Sequence, residues 1–316
     1  MDFLISHTHI NPFYLVGIGF IVGALGGFFG VGGSFLAGPA LFAAGVPMNF
    51  VVGTDLAHIV GKSIVAAKTH RALGNVDLKL GALMVVGTIS GVETGAQLIE
   101  YLKRTANVDK PVGICFIIVL LSISTFMAWE SLRTLQNPRS HRKNSSSAHR
   151  NKASKADGSV FGHVARRIHA IKLPPTIRLP KSGIERISLW AILLVAFVGG
   201  FFSGFLGGGA GYIRMPSLVY FLGIPTHIAV GTDLFEIMIS ASYGTLTHAI
   251  KGNVDILIAL VMHTGAAIGA QIGANATSYF AGPRIRLAFV PLPLIGAGIL
   301  VYGLLTGHHA NLLFPS

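Results

Sequence analysis

Asp55, His58 and Lys62 fall at i, i+3 and i+7, a spacing that puts a carboxylate, an imidazole and an ammonium on one face of a helix. The surrounding stretch, residues 50–72, is otherwise largely apolar, and charged groups in such a setting are costly to bury. Each is therefore a candidate for ion binding or proton transfer. A second stretch repeats the pattern as Asp233, Glu236 and Ser240, keeping the aspartate and losing the cations. The alternative for both aspartates is a helix cap after Gly53-Thr54 and Gly231-Thr232. Glu93 lies among Gly87, Gly91 and Gly95 and is either a further proton-transfer acid or a polar contact between helices; His263 belongs to the same class. His70 and His248, close to Lys68, Arg71 and Lys251, suit the C-terminal ends of their helices and need no chemical role.

A second set of residues points to an anion. Gly30-Val31-Gly32-Gly33 precedes Ser34, and Gly207-Gly208-Gly209-Ala210-Gly211 precedes Tyr212. A helix that begins inside an apolar run presents unpartnered amide N–H groups and about half a positive charge. Two such starts, near Ser34 and Tyr212, can face one anion, and Arg214 adds a full charge that its repeat counterpart Ala37 does not. The candidate anion site is thus Gly30, Gly32, Gly33, Ser34, Gly207, Gly208, Gly209, Gly211 and Arg214, with Lys62, Thr54 and Thr232 beside them. The competing reading is that the glycines only permit tight packing while Arg214 snorkels to the surface.

The elements that must position these residues are long apolar runs at 13–44, 50–72, 79–101, 112–135, 188–222, 226–250, 254–280 and 285–305. Most approach the ~20 residues needed to cross a hydrocarbon core. The first run of each half is too long for one crossing and is broken by the glycines, which predicts a helical hairpin with a shorter second arm. The halves are a repeat: Gly45-Val46-Pro47 matches Gly223-Ile224-Pro225, and Val52-Gly53-Thr54-Asp55-Leu56 recurs as Val230-Gly231-Thr232-Asp233-Leu234. Gly74-Asn75-Val76-Asp77 then matches Gly252-Asn253-Val254-Asp255, and Gly87, Gly91 and Gly95 match Gly265, Gly269 and Gly273. The expected fold is an all-α polytopic helical membrane protein of two homologous halves, each opening with a Gly-broken hairpin followed by three spans. The expected divisions are membrane repeats at 1–135 and 188–316 around a basic segment at 136–187. Such a duplication is the ground plan of a secondary transporter with its site between the repeats.

Composition agrees. Of 316 residues 52% are hydrophobic and only 11% charged, which excludes an ordinary cytosolic enzyme and a disordered chain. The lone Cys115 excludes a disulfide framework and a cysteine-cluster metal site. Residues 136–187 hold twelve Lys and Arg against Asp157 and Glu185, so they carry +10 of the net +12. Beside membrane spans this predicts a cytoplasmic loop touching anionic lipid headgroups, not nucleic acid. Within it 136–158 should be disordered, and Phe161, Val164, Ile168 and Ile171 give either an amphipathic surface helix or a plain linker. Met1–Pro12 lacks the basic region of a cleaved signal, so the first run should be retained. Neither that segment nor Ala288–Ser316 contains Lys or Arg, which puts both termini outside and requires inverted repeats. Lys103, Arg104 and Lys110 then fall outside as well, against the charge rule; counting each first run as one tilted span gives parallel repeats instead. Gly61-Lys62-Ser63 lacks the first glycine of a phosphate loop, Leu56 standing in its place, and no His-Glu-x-x-His occurs. No enzyme activity, metal or cofactor is expected; the Gly-xxx-Gly surfaces are compatible with a homodimer.

The doubled Gly-Phe-x-Gly elements with their glycine runs, followed by Pro39 or Pro216, the Gly-Val-Pro and Gly-Ile-Pro turns, and the Val-Gly-Thr-Asp-Leu pair resemble the sulfite exporter TauE/SafE family of membrane transporters. The resemblance covers nearly all the chain except 136–187. It implies export of sulfite or a related sulfur anion, organosulfonates included, across the inner membrane, with the substrate path along Gly30 to Ser34, Gly207 to Gly211, Asp55 and Asp233. Many members carry Ser or Asn after Gly-Thr, so the acidic pair is a departure. The expected mechanism is alternating access coupled to protons at Asp55, Asp233, Glu93, His58 or Glu236. A sensor of the same anions, or an importer of another small anion, is the alternative.

Overall fold

The computed structural model describes residues 1–105, 108–136, 173–280 and 282–306. The expected disordered segment and surface helix of the basic loop lie outside the described residues. Helix α1 (Pro12–Phe29) starts on Asn11, whose side chain accepts from the Phe13 amide, with proline in its first turn. It stops at Gly30, where φ is 73°, and Gly32 and Gly33 at 69° and 77° complete the reversal into α2 (Ser34–Ala43). A side chain with a Cβ resists this left-handed backbone, so the reversal depends on glycine. The second half repeats the device between α6 (Leu189–Leu206) and α7 (Gly211–Tyr220), through Gly207, Gly208 and Gly209 at 83°, 76° and 72°. Each return arm has 10 residues against 18 in the first arm, as the interrupted apolar runs predict.

Helices α3 (Met48–Ala72), α4 (Leu78–Arg104) and α5 (Asp109–Gln136) complete the first half; α8 (Thr226–Ile250) and α9 (Ile256–Ala276) follow in the second. The final apolar run, expected as one span, divides into α10 (Gly282–Phe289) and α11 (Pro291–Thr306). Pro291 supplies no amide for the ladder and disfavours helix in the residue before it, which accounts for the break. Among the described residues seven helices are long and apolar enough to cross a membrane. The protein is therefore an all-α multi-pass membrane protein.

Small residues bring the helices together. A Cβ on Gly87, Gly91 or Gly95 of α4 would run into the carbonyl oxygens of Leu193, Phe197 and Phe201 on α6. The matching ladder on α9, Gly265, Gly269 and Gly273, sits equally against Val16, Phe20 and Ala24 of α1. Both ladders are thus used within the chain, as close helix packing in lipid requires.

The repeat also extends into segments with no shared letters. Antiparallel strands β1 (Asp2–Phe3) and β2 (Thr8–His9) precede α1, and β3 (Thr176–Leu179) and β4 (Ile184–Ser188) precede α6. The hydroxyl of Ser6, between the first pair, donates to Asp255 at 2.8 Å, and that of Ser182, between the second, donates to Asp77 at 2.6 Å. The latter hairpin occupies the end of the basic central segment.

Candidate functional site

Helices α3 and α8 cross at the centre. They begin at Met48 and Thr226, after Pro47 and Pro225, which offer no capping side chain, and the Asp109 carboxylate accepts from the Met48 amide at 2.8 Å. Asp55 and Asp233 therefore lie two turns inside their helices and are buried, so neither is a cap. Thr54 and Thr232 point to the other half: each hydroxyl accepts from a backbone amide at 2.9 Å, that of Asp255 for Thr54 and that of Asp77 for Thr232. Asp77 and Asp255 in turn accept from amides at the starts of α4 and α9. The start of α3 thus lies beside the end of α8, and the converse holds, so the two equivalent helices run in opposite directions.

His70 and His248 stand in the last turns of α3 and α8, as expected, and are buried against neighbouring helices. Their Nε2 atoms meet the carbonyls of Gly27 and Gly204 at 3.0 and 2.9 Å, donating to oxygens in the last turns of α1 and α6. They anchor the hairpins.

In the first half Asp55, His58 and Lys62 do share one buried face of α3. His58 Nδ1 stands 3.4 Å from Asp55 Oδ1 and 3.3 Å from Lys62 Nζ. These two contacts demand opposite states of one atom: Nδ1 must carry a proton to donate to the carboxylate and must lack one to accept from the ammonium. Asp55 Oδ2 and His58 Nε2 have no hydrogen-bond partner.

The second half balances its charges differently. Arg214 reaches from α7 to α8, where Nε donates to Asp233 Oδ1 at 2.7 Å and Nη1 lies 2.7 Å from Glu236 Oε2, poorly aligned for a hydrogen bond. All three side chains are fully buried, and Gly199 of α6 leaves room for the arginine stem. Arg214 therefore does not snorkel, and its charge faces two carboxylates of its own half. Where the first half has Lys62, this half has Ser240.

Glu93 joins neither cluster. It lies at the α4–α8 surface, accepting from Gln97 at 2.8 Å and Tyr243 at 3.0 Å, with Lys251 Nζ at 3.6 Å. His263 packs over Gly61 of α3.

The two glycine turns meet beside these clusters. Gly30 abuts Val230 of α8 and Gly207 abuts Val52 of α3, while Gly211 fits against Val31 of the opposite turn. Leu56, Ile59, Ile237 and Ala241 form a small apolar cluster of α3 and α8 at the crossing. Gly33 and Ala210, which precede α2 and α7, carry no side chain able to cap these helix starts. The glycines serve both as close-packing points and as turns.

Sequence reasoning noted Tyr212 only as the start of an arm. Its ring stacks on Phe116 of α5 at 5.9 Å, and its hydroxyl is buried without a partner. The repeat register held the signal, because the equivalent position is Phe35. Among the described residues no group of three or more His, Cys, Asp or Glu could hold a metal ion.

Comparison with known proteins agrees with this architecture. A probable membrane transporter protein, YunE of Bacillus subtilis (strain 168), is 26% identical over 299 residues, covering 92% of this chain and 97% of its own. A second from the same organism, YdhB, is 37% identical across 28% of this chain and 36% of its own. A probable membrane transporter protein of Xylella fastidiosa (strain 9a5c) is 33% identical across 35% of this chain and 43% of its own. No solved structure matches the chain. The profile of the family described as Sulfite exporter TauE/SafE matches residues 15–300, nearly the whole of the described membrane core, and the chain belongs to that family.

Proposed function

We propose that this membrane transporter exports a small sulfur oxyanion, sulfite or an organosulfonate, across the inner membrane by proton-coupled alternating access. The observation that carries this reading is the placement of two buried charged clusters where antiparallel α3 and α8 cross, beside two helix starts preceded by Gly33 and Ala210, which carry no capping side chain. Charges held at such a depth are kept for ion handling.

The coupling follows from His58. With Asp55 ionised, Lys62 charged and His58 neutral, the first cluster is formally neutral. A proton taken up by Asp55 or His58 makes it positive and favours an arriving anion, and the anion in turn favours the proton. Loading of the anion therefore strengthens as pH falls. The antiparallel course of α3 and α8 supports inverted repeats that rock about this crossing, with residues 136–187 cytoplasmic against anionic headgroups and both termini outside.

Sulfite flux into proteoliposomes, with sulfate, methanesulfonate and acetate as competitors and with and without a pH gradient, tests the proposal. The expected result is saturable sulfite flux that rises on acidifying the loading side, and a weaker pH dependence in Asp55→Asn, whose side chain cannot ionise. Absence of flux with every anion offered would refute the proposal; an unchanged pH response in Asp55→Asn would remove this residue from the coupling.

A further inference from the structure

We propose that the Tyr212 hydroxyl is the specificity-determining hydrogen-bond donor to the transported oxyanion, in a site shared between the repeats by α7 and by Asp55, His58 and Lys62 of α3. This deepens the transporter reading and rests on it.

Tyr212 is completely buried, yet its hydroxyl has no hydrogen-bond partner. A buried phenol normally finds one, so an unsatisfied hydroxyl at this place calls for an occupant. Its ring is fixed against Phe116, and the hydroxyl lies within electrostatic range of Asp55, which belongs to the other repeat. Asp55 Oδ2 and His58 Nε2 are also unpartnered, and the start of α7 lies one residue before the tyrosine. In the proposed site the donors are the phenol, the imidazole, the Lys62 ammonium and the backbone amides at the start of α7. That set suits a compact oxyanion whose three oxygens diverge, and the facing Asp55 disfavours a second negative charge.

The counterpart place in the other half is built shut. Phe35 has no hydroxyl and lies edge-on to Phe289 at 5.4 Å. Helix α11 sits directly on its arm, because a Cβ at Gly296 would strike the Phe35 carbonyl. In the second half the positive charge of Arg214 is already set against Asp233 and Glu236.

The test uses the purified full chain in detergent and in proteoliposomes. Sulfite and methanesulfonate should raise the thermal unfolding midpoint of the wild type, with chloride as the reference salt. Tyr212→Phe keeps the ring and its stacking. It should leave the ligand-free midpoint in place, weaken the apparent affinity for sulfite about tenfold and raise KM for flux by the same factor with little change in maximal rate. Near-UV tyrosine difference absorbance of the wild type on adding sulfite gives a second readout that needs no variant, and a spectral change is expected. Phe35→Tyr, which adds a hydroxyl to the closed copy, should leave affinity unchanged. Equal sulfite affinity in wild type and Tyr212→Phe, or no tyrosine spectral change, overturns the inference and leaves the transporter reading standing. Failure of every anion to shift the wild type overturns both.

Discussion

At the scale of residues, the two halves solve one electrostatic problem in different ways. Asp55 finds its cation on its own helix, one turn beyond His58, whereas Asp233 shares Arg214 with Glu236 across a hairpin. Removing one member of a buried ion group leaves the others uncompensated, at a cost of ~3–5 kcal/mol. Arg214→Ala should therefore lower stability by about that amount, measured as the denaturation midpoint or protease resistance in detergent. Neutralising both acids as well, in Arg214→Met with Asp233→Asn and Glu236→Gln, should recover much of the loss. A loss of flux in Arg214→Ala alone would thus report folding before substrate binding. The face of Asp55, His58 and Lys62 was legible in the sequence because helical spacing alone creates it. The partners of Arg214 were not, since the register of α7 against α8 is a tertiary fact. Tyr212 was half legible, as a hydroxyl present in one repeat and absent in the other.

At the scale of elements, the glycine-broken hairpins follow from composition, and their tips separate backbone strain from packing. Gly74 and Gly30 have similar left-handed backbones, φ 78° and 73°, but an added Cβ meets nothing within 4 Å at Gly74 and crowds Val230 at Gly30. Gly74→Ala should cost only the strain of that conformation, ~1–2 kcal/mol. Gly30→Ala should cost more and impair flux, because the hairpin tip must withdraw from α8; thermal unfolding and proteoliposome flux on both variants check this. Other elements escaped sequence reading for physical reasons. Strands of two to five residues have too little alternation to register, and the break at Pro291 sits inside an unbroken apolar run. Lys103 donates at 3.0 Å both to the Lys251 carbonyl and to Asn253, so it closes the C-terminal end of α8.

At the scale of the whole molecule, reciprocity is the organising fact. Thr54 holds Asp255 and Thr232 holds Asp77; Ser6 reaches Asp255 and Ser182 reaches Asp77; His70 and His248 close the ends of α1 and α6. Each of the first four links joins segments on opposite sides of the duplication, so neither half completes its helix starts alone. The same pairs place the Gly74 turn beside the β3–β4 hairpin and the Gly252 turn beside β1–β2. Because α3 and α8 run in opposite directions, these equivalent turns lie at opposite ends of the helix pair, and inverted repeats put them on opposite faces of the membrane. Both glycines are exposed with open space around them and φ of 78° and 69°, so a cysteine is tolerated alike at either. In a Cys115→Ser background, Gly252→Cys should react with a membrane-impermeant maleimide in intact cells, whereas Gly74→Cys should react only after permeabilisation. Labelling of both from outside would contradict the antiparallel course of α3 and α8 and remove the rocking mechanism, because alternating access of this kind needs the two copies of the Asp-bearing helix to face opposite compartments.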